Sequence, residues 1–415
     1  MTDFTIQDEF MSEISDLINE NDIKILNKSL DIFDIVSIFL ENNQSEDPFL
    51  VVNLGDVIRQ FKKWEYYLPR ITPFYAVKCN NDELILKLLS HLGCGFDCAS
   101  KNEIGKVIGM GVDPAKIIYA NPCKMVSQIR FARAHDCDLL VFDSEHELYK
   151  IKLYHSEAKL LLRIKTDDKD SVCKFSCKFG AELDEVEGLL KIAKNLDLNV
   201  TGIAFHVGSN CMNSESYKNA IRDSKKAFDI GTTLDLKMNM LDIGGGFPGV
   251  DSAQVNFEDI AKKINEGLDE FFSDISDLKV IAEPGRFFVA SSNTLVVSVV
   301  NKKVKRCPVT NEKIITYFLN DGVYGTWSNI PMDHFSINES NLIPFNERNE
   351  KKYKCQIWGP TCDSIDKITE SIQLPNLEIG QNLICINMGS YSQATFPGTV
   401  GFNGFNTATS KYILN

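Results

Sequence analysis

The stretch Pro73-Phe74-Tyr75-Ala76-Val77-Lys78-Cys79-Asn80 is an apolar run that ends near a lysine. Burial removes water from an ammonium group and favours its neutral form, which is the form that attacks a carbonyl carbon. A lysine at a strand end can also extend its charged group into water, and for Lys78 taken alone this is the commoner situation. The rest of the chain therefore has to decide between the two interpretations.

That run is the first of eight short apolar segments, which alternate with amphipathic stretches across about 240 residues. Such alternation is typical of βα units, and eight units match the size of a (β/α)8 barrel. A doubly wound open sheet is the main alternative, but no glycine-rich dinucleotide motif follows the first run. The runs are 74–78, 95–98, 117–121, 139–143, 160–164, 200–206, 240–244 and 280–284.

A polar residue or a glycine cluster stands at the end of each run. Because the carboxyl ends of barrel strands share one mouth, where barrel enzymes carry their active sites, we expect these residues to lie together. They are Lys78, Asp97, Asn121, Asp143, Arg163, His206, Gly244 to Gly246, and Glu283.

Two of these strand ends have the composition of a phosphate site. Gly244-Gly245-Gly246 follows the seventh run, and Glu283-Pro284-Gly285-Arg286 follows the eighth. Consecutive glycines let backbone N–H groups approach an anion, and barrels commonly bind phosphate with the loops after strands seven and eight. Arg286 can form a forked pair with phosphate, and Ser209 can add a hydroxyl. A flexible loop and a Glu283–Arg286 ion pair are the structural alternatives.

The same mouth offers groups for a flat ring. His206 can stack on such a ring, although a buried, satisfied histidine is the commoner case for this residue alone. Glu283 can hold a pyridine nitrogen protonated. Together with Lys78 and the phosphate loops, these groups predict one ligand, the aromatic aldehyde pyridoxal 5'-phosphate.

After about residue 292 the sequence changes to β-like segments separated by turns, without helical patterns between them. We therefore predict a barrel at 53–292 and a second, all-β domain made of 1–52 together with 293–415. Residues 31–36 in the first of these parts have the composition of a strand. The later segments are 295–300, 313–319, 354–358 and 382–387.

Composition excludes several classes of protein. The net charge of −13 argues against a nucleic-acid partner and favours a cationic small substrate. No leader and no apolar span of about 20 residues is recognisable, which predicts a cytoplasmic protein without membrane contact. The twelve cysteines are scattered, as reduced thiols are. The pairs Cys94/Cys98 and Cys173/Cys177 lack further local ligands, so we predict no metal site.

Several long motifs resemble those of the eukaryotic-type ornithine decarboxylases, which are fold-type III pyridoxal phosphate enzymes. The resemblance implies an alanine racemase-like combination of barrel and β-domain, and a head-to-tail homodimer with two shared active sites. It also implies conversion of L-ornithine to putrescine and carbon dioxide in polyamine biosynthesis. The resemblance runs from about residue 33 to 405 and rests on 73–80, 95–100, 119–124, 205–209, 241–249, 282–286, 320–325 and 358–363.

The resemblance also implies roles for residues of the barrel. Lys78 matches the lysine that forms a Schiff base with the cofactor, and His206 matches the residue stacked on its ring. Glu283 matches the partner of the ring nitrogen. The remaining cofactor contacts implied are Asp97, Glu103, Arg163, Ser209, Gly244, Gly245, Gly246, Gly285, Arg286 and, in the second domain, Tyr391.

Further roles implied by the resemblance fall in the second domain. Cys362 matches a proton donor that the partner subunit contributes, and a thiol beside a forming carbanion can protonate it. Asp333 and Asp363 match the pair that holds the distal ammonium of the substrate, one from each subunit. Tyr324 matches an interface residue near the site. Lys178 and Asp366 match an intersubunit salt bridge.

Two other hypotheses stay open in the sequence. One methylene in a pocket is worth only ~1–3 kcal/mol, so lysine or arginine is an alternative substrate. Arginine-preferring relatives carry Glu at the position of Asp333, which favours ornithine. A homologue without catalysis that binds a regulatory protein is the other hypothesis, and the presence of Lys78, Glu283 and Cys362 argues against it. The segment 392–401 is about three residues longer than in the family, and the sequence does not decide whether an antizyme-like regulator binds.

Overall fold

All eight apolar runs form parallel strands that close into a barrel in the computed structural model. This confirms the predicted (β/α)8 architecture. The structure describes residues 15–21, 23–26, 30–42, 45–309, 311–345, 351–395 and 404–415. These residues divide into a barrel unit, Gln60–Phe288, and a second unit made of residues 15–59 with Val289–Asn415.

The strands in the described residues belong to the barrel, to a two-stranded ribbon beside it, and to the sheet of the second unit. They are β1 (Lys24–Ile25), β2 (Phe49–Asn53), β3 (Ile71–Ala76), β4 (Gly95–Cys98), β5 (Ile117–Tyr119), β6 (Leu139–Phe142), β7 (Lys159–Arg163), β8 (Ser171–Cys173), β9 (Asn199–Ala204), β10 (Ser209–Cys211), β11 (Met240–Asp242), β12 (Lys279–Ala282), β13 (Asn293–Arg306), β14 (Lys313–Leu319), β15 (Leu342–Pro344), β16 (Tyr353–Trp358), β17 (Lys367–Leu374), β18 (Asn382–Cys385) and β19 (Thr409–Leu414).

Most helices in the described residues connect successive barrel strands. The helices are α1 (Ser15–Glu20), α2 (Ile32–Asn42), α3 (Leu54–Tyr67), α4 (Glu83–His91), α5 (Lys101–Gly109), α6 (Val126–Ala134), α7 (Glu145–Tyr154), α8 (Val186–Asn195), α9 (Glu215–Thr233), α10 (Phe257–Phe271), α11 (Arg286–Val289) and α12 (Asn329–Asp333).

The barrel closes in the order β3-β4-β5-β6-β7-β9-β11-β12, with β12 pairing back onto β3. Strands β8 and β10 lie in the loops after β7 and β9 and pair antiparallel as a two-stranded ribbon. Apolar side chains fill the interior, among them Phe74, Ile118 and Leu161. The barrel is therefore a packed core, and a ligand site has to lie at one of its ends.

An aromatic cluster fixes the two loops that were predicted to bind phosphate. The indole N–H of Trp64 donates to the carbonyl of Ile71 at 3.0 Å, and its ring lies 4.9 Å from that of Phe247. The rings of Phe257 and Phe287 lie 4.1 Å apart. Phe247 follows the glycine triplet and Phe287 follows Arg286, so both loops are anchored by buried rings.

The second unit is built on one large sheet in the order β1-β19-β2-β13-β14-β16-β17, to which β15 and β18 are added. The long strand β13 has 14 residues and pairs antiparallel with β2, β14 and β18. All four β-like segments predicted after residue 292 are strands here. The unit is mostly sheet, as expected.

The predicted strand at 31–36 is wrong, because these residues begin helix α2. Ile35, Val36 and Phe39 are buried in a core with Val51 and Ile384. The spacing of three to four residues between these apolar positions is the period of a helix, and the isoleucine and valine content obscured it. The second unit is thus not purely β.

Candidate active site

The polar residues of the barrel mouth stand two positions after apolar residues that fill its interior. Leu161 and Ile281 lie in the interior cluster, and Arg163 and Glu283 follow each of them by two residues. Because side chains two apart on a strand point to the same side, these polar groups form the next layer of the interior. The same step leads from Ala204 to His206, from Met240 to Asp242 and from Val141 to Asp143.

Lys78 forms an ion pair with Asp97 across neighbouring strands. The Asp97 side chain is fully buried, whereas that of Lys78 is 39% exposed. A buried carboxylate beside the ammonium holds the lysine in one orientation and can accept its proton. The amine therefore lies at an accessible position over the packed core.

His206 is fixed as a neutral ring. Its Nδ1 accepts a hydrogen bond from the Gly208 N–H at 3.0 Å, which leaves its proton on Nε2. Burial lowers the pKa of His206 well below its ordinary value, and the positive charges of Arg163 and Lys78 lower it further. The ring centroids of Phe175 and His206 lie 5.0 Å apart in an edge-to-face arrangement, which restrains the tilt of the imidazole. His206 thus contributes a neutral ring to the mouth.

The loops after β9, β11 and β12 form a cradle of glycines with a cation and a hydroxyl. The Arg286 guanidinium donates to the Ser209 hydroxyl at 3.1 Å. Gly244 and Gly246 have positive φ angles of 62° and 103°. A Cβ on Gly244 would lie 2.1 Å from the carbonyl of Phe205, and one on Gly245 would lie 2.9 Å from Nε2 of His206. Only glycine lets the backbone lie this close to its neighbours, as an anion site requires.

Buried carboxyl groups face each other on the inner side of the mouth. Burial raises the pKa of Glu283 well above its usual range, and the nearby Asp242 and Asp97 carboxyls raise it further. Burial likewise raises the pKa of Asp242. Burial lowers the pKa of the Arg163 guanidinium, while the Glu283 carboxyl opposes that change. The inner side of the mouth therefore has more carboxyl groups than cations.

Three of the predicted polar residues accept hydrogen bonds from backbone N–H groups around the mouth. Glu103 accepts a hydrogen bond from the Ala99 N–H at 2.5 Å, and Ser100 caps the same helix, α5, as a capping box. Asp143 accepts the Gly180 N–H at 2.9 Å, and Asn121 accepts the Cys123 N–H at 3.1 Å. A cofactor contact by Glu103 stays a prediction.

These groups fit pyridoxal 5'-phosphate by their chemistry. The barrel mouth brings together a reactive amine, a glycine cradle with an arginine, a neutral imidazole and a carboxyl facing inward. Residues 54–290 match the family model described as "pyridoxal-dependent decarboxylase, pyridoxal binding domain". The chain belongs to this decarboxylase family. Its cofactor is pyridoxal 5'-phosphate, which confirms the ligand predicted from the sequence.

Relatives of known name agree with the family. The decarboxylase is 44% identical over 384 residues to an ornithine decarboxylase of Rattus norvegicus, covering 91% of this chain and 82% of the relative. It is 42% identical over 406 residues to antizyme inhibitor 2 of Xenopus laevis, covering 96% and 88%. The crystal structure of the arginine decarboxylase of Paramecium bursaria Chlorella virus superimposes with a TM-score of 0.86 at 35% identity, covering 92% and 100%.

The second unit of the decarboxylase contains the residues predicted to contact substrate. The Tyr324 hydroxyl donates to Oδ2 of Asp363 at 2.5 Å. This hydrogen bond lowers the pKa of Asp363, so its carboxylate stays charged. Cys362 is exposed, and Asp333 is 8% exposed at the end of α12. Tyr391 lies in the same unit with a φ of 53°, and its contact with the phosphate stays a prediction.

Asp366 has a structural task inside this unit of the decarboxylase. It is 1% exposed and accepts hydrogen bonds from the Val323 N–H at 2.9 Å and the Thr361 N–H at 3.0 Å. A Cβ on Gly359 would lie 2.2 Å from its carboxylate. Asp366 therefore shapes the turn that presents Cys362, and its expected intersubunit pair with Lys178 stays a prediction.

Sequence reasoning missed Asp242 as a mouth residue of the decarboxylase. It assigned the end of the seventh run to the glycine triplet, although Asp242 stands two residues after the interior Met240. Strand alternation was the available signal, since it places Asp242 on the same face as its interior neighbours. Phe175, which packs on His206, carried no signal because it comes from an irregular loop.

Within the described ranges, no cluster of histidine, cysteine, aspartate and glutamate is arranged to hold a metal ion. Likewise, none of the described helices is both long and apolar enough to cross a bilayer.

Proposed function

We propose that this decarboxylase converts L-ornithine to putrescine and carbon dioxide. The observation that carries the proposal is the charged Asp363 carboxylate, oriented by Tyr324 and next in sequence to the exposed Cys362. A carboxylate suits the distal ammonium of a diamino acid, and an adjacent thiol suits protonation of the carbon that loses its carboxylate. The net charge of −13 also favours a cationic substrate.

In this proposal the barrel residues hold the cofactor. Arg286, Ser209 and the glycine cradle bind its phosphate, His206 covers one face of its ring, and Glu283 contacts the ring nitrogen. Pyridoxal 5'-phosphate supplies an aldehyde for amines and a ring that accepts the electron pair of the broken bond. Lys78 is the amine that would hold the aldehyde, and Asp97, its ion-pair partner, would accept and return the proton of that amine.

Residues of the second unit then bind the distal end of the substrate and protonate its Cα. Asp333 and Asp363 bind the distal ammonium, one from each subunit of a homodimer, and Cys362 of the opposite subunit donates a proton to Cα. Neutral, buried His206 adds no charge beside the reacting carbon and excludes water from one face. We assign cofactor binding to the domain at 53–292 and these tasks to 1–52 with 293–415.

Discrimination among substrates rests on Asp333. A pocket bounded by two carboxylates recognises a cation at a fixed distance, but one methylene changes binding by only ~1–3 kcal/mol. Lysine is therefore the expected secondary substrate. The solved relative named as an arginine decarboxylase makes arginine the second amino acid to compare.

A second candidate function follows from the likeness to antizyme inhibitor 2. A protein that only binds a regulator has no need of a reactive lysine, and here Lys78 keeps its ion pair with Asp97. Absorbance of the denatured chain after borohydride reduction separates the candidates, since only a cofactor bound covalently to Lys78 stays on the chain, and Lys78→Ala should lose this absorbance.

The decisive experiment measures carbon dioxide release by the purified chain with added pyridoxal 5'-phosphate. L-ornithine, L-lysine and L-arginine are compared at equal concentrations, with Lys78→Ala as the inactive control. Preferential release from ornithine supports the proposal. Preference for lysine or arginine would reject ornithine as the substrate, and a yellow protein without release from any of the three would reject the proposed activity.

A further inference from the structure

We propose that Asp242 is a positioning residue that, together with Glu283, holds the proton of the cofactor ring nitrogen. The inference rests on the proposed contact between Glu283 and that nitrogen. It adds a second carboxyl group behind the first, which makes Glu283 a stronger base than a single carboxylate in the same place.

The backbone fixes the two carboxyl groups as neighbours. Strands β11 and β12 are paired, with Asp242 in register with Ile281. Gly244 ties both residues together, because its N–H donates to Oδ1 of Asp242 at 2.9 Å and its carbonyl accepts the Glu283 N–H at 2.7 Å. The positive φ of Gly244 allows this double contact.

Both groups are removed from water. Asp242 is 1% exposed and Glu283 is 8% exposed. Two buried carboxyl groups on neighbouring strands do not both ionise easily, so the pair retains a proton until another group takes the charge. Among the described residues, Oδ2 of Asp242 is buried without a hydrogen-bond partner, which leaves this oxygen available to share a proton with the neighbouring Glu283 carboxyl.

The other charged groups near Glu283 do not offset the excess of carboxyl groups over cations. Those that act on Glu283 are Asp97, Lys78 and Arg163, besides Asp242 itself. Lys78 is paired with Asp97, and His206 is neutral. One cation, Arg163, therefore faces the two carboxyls Asp242 and Glu283. A positively charged ring nitrogen would supply the missing charge, and the pair would keep its proton in place.

A purely structural role for Asp242 is the competing explanation, since its carboxylate also holds the turn before the glycine cradle. The two roles differ in what they change. Loss of a turn weakens cofactor retention, whereas loss of a charge changes the pH at which the ring nitrogen loses its proton.

The test therefore follows the ring nitrogen by ¹⁵N NMR in the holoenzyme, with ¹⁵N-labelled pyridoxal 5'-phosphate, from pH 6 to pH 9. For Asp242→Asn we expect the titration midpoint to fall by about one pH unit or more, a tenfold weaker hold on the proton. The matched control is Asp321→Asn. This residue of the second unit is also buried, and it accepts the Gly322 N–H at 2.8 Å. We expect the control to keep the wild-type midpoint.

The outcomes separate the inference from its premise. If Glu283→Gln leaves the midpoint unchanged, the proposed contact of Glu283 is wrong. If Glu283→Gln lowers the midpoint and Asp242→Asn does not, only the role of Asp242 is overturned.

If Asp242→Asn does not retain cofactor, wild-type holoenzyme labelled with ¹³C at its aspartate carboxyls gives the answer. We expect one aspartate to titrate together with the ring nitrogen. Completion of every aspartate titration below about pH 5 would overturn the proposal.

Discussion

At the scale of single residues, the site combines groups of opposite character on neighbouring strands. The Lys78 side chain is 39% exposed, whereas that of its ion-pair partner Asp97 is fully buried. The pKa of His206 is well below its ordinary value, whereas the pKa of Glu283 is well above its ordinary value. Such opposite shifts within one cluster are typical of acid–base sites.

Cys362 is the first residue to test. Cys362→Ala should retain bound cofactor, since the proposed cofactor contacts lie in the barrel, but should lose most putrescine formation because the proposed proton donor to Cα is absent. Absorbance of the cofactor and chromatography of the products measure the two effects. Exposed Cys123→Ala is the control and should behave as the wild type. Undiminished putrescine from Cys362→Ala would assign the donor role elsewhere.

The length of the Asp333 side chain should set the size of the substrate. Asp333→Glu is expected to lower kcat/KM for ornithine by about tenfold or more, because its extra methylene fills the space of the ammonium. Steady-state kinetics with ornithine and lysine measure the change, with the exposed Asp277→Glu as control. Equal kcat/KM values for ornithine in Asp333→Glu and wild type would contradict this placement.

Tyr324 should act on binding through Asp363. Tyr324→Phe removes a hydrogen bond to a charged group, worth about 1.5–3 kcal/mol, and leaves the ring in place. We expect KM for ornithine to rise about tenfold or more while kcat stays within twofold. A fall in kcat with unchanged KM would instead connect Tyr324 with the chemical step.

At the scale of elements, the loop after β11 depends on Gly244. Gly244→Ala would place a methyl group 2.1 Å from the Phe205 carbonyl at a φ of 62°. Backbone strain of this kind costs about 1–3 kcal/mol even without a clash. We therefore expect weaker cofactor retention and a lower unfolding midpoint.

The control for this loop is Gly188→Ala in helix α8. A Cβ there meets no atom within 4 Å. Alanine in a helix is more stable than glycine by about 0.5–1 kcal/mol, so this variant should unfold at a slightly higher temperature. A Gly244→Ala protein that retained cofactor as firmly as Gly188→Ala would show that the cradle tolerates a side chain.

Local pattern was sufficient for the barrel and failed where two patterns overlap. The eight runs predicted all eight barrel strands, because apolar runs with polar ends follow directly from burial. Residues 31–36 failed, since isoleucine and valine suit a strand while their spacing suits a helix. Asp242 was missed because the adjacent glycines were the more conspicuous feature.

The arrangement of the mouth was expected from topology, but its electrostatics were not. Strand order places Lys78, Arg163, His206 and Glu283 at one end of any parallel barrel. Which carboxyl keeps a proton depends on burial and on pairs such as Gly244–Asp242, and these appear only in three dimensions. The roles of Cys362, Asp333 and Tyr391 stay predictions.

At the scale of the whole molecule, stability should fall as the solution becomes mildly acidic through His155. This residue is 2% exposed, and burial lowers its pKa in the folded protein. In the unfolded chain its pKa returns to about 6.5, so protonation favours unfolding as the pH falls below that value. His155→Gln, which cannot take the proton, should lose less unfolding free energy between pH 7.5 and pH 5.5 than the wild type.

Denaturant unfolding at the two pH values measures this difference. His91→Gln is the matched control, since His91 is an exposed histidine at the end of α4. This variant should show the same change in unfolding free energy between pH 7.5 and pH 5.5 as the wild type. An identical change in unfolding free energy for wild type and His155→Gln would show that His155 takes up a proton equally well in the folded and the unfolded protein.

The apolar layer beneath Lys78 closes the barrel from below. A packed floor closes the site on the side of the barrel interior, so small molecules reach Lys78 only from the opposite side. An amino acid and the amine that its decarboxylation yields therefore share that side of the site. Accumulated amine should slow turnover by competing with the amino acid, and more amino acid should relieve the inhibition.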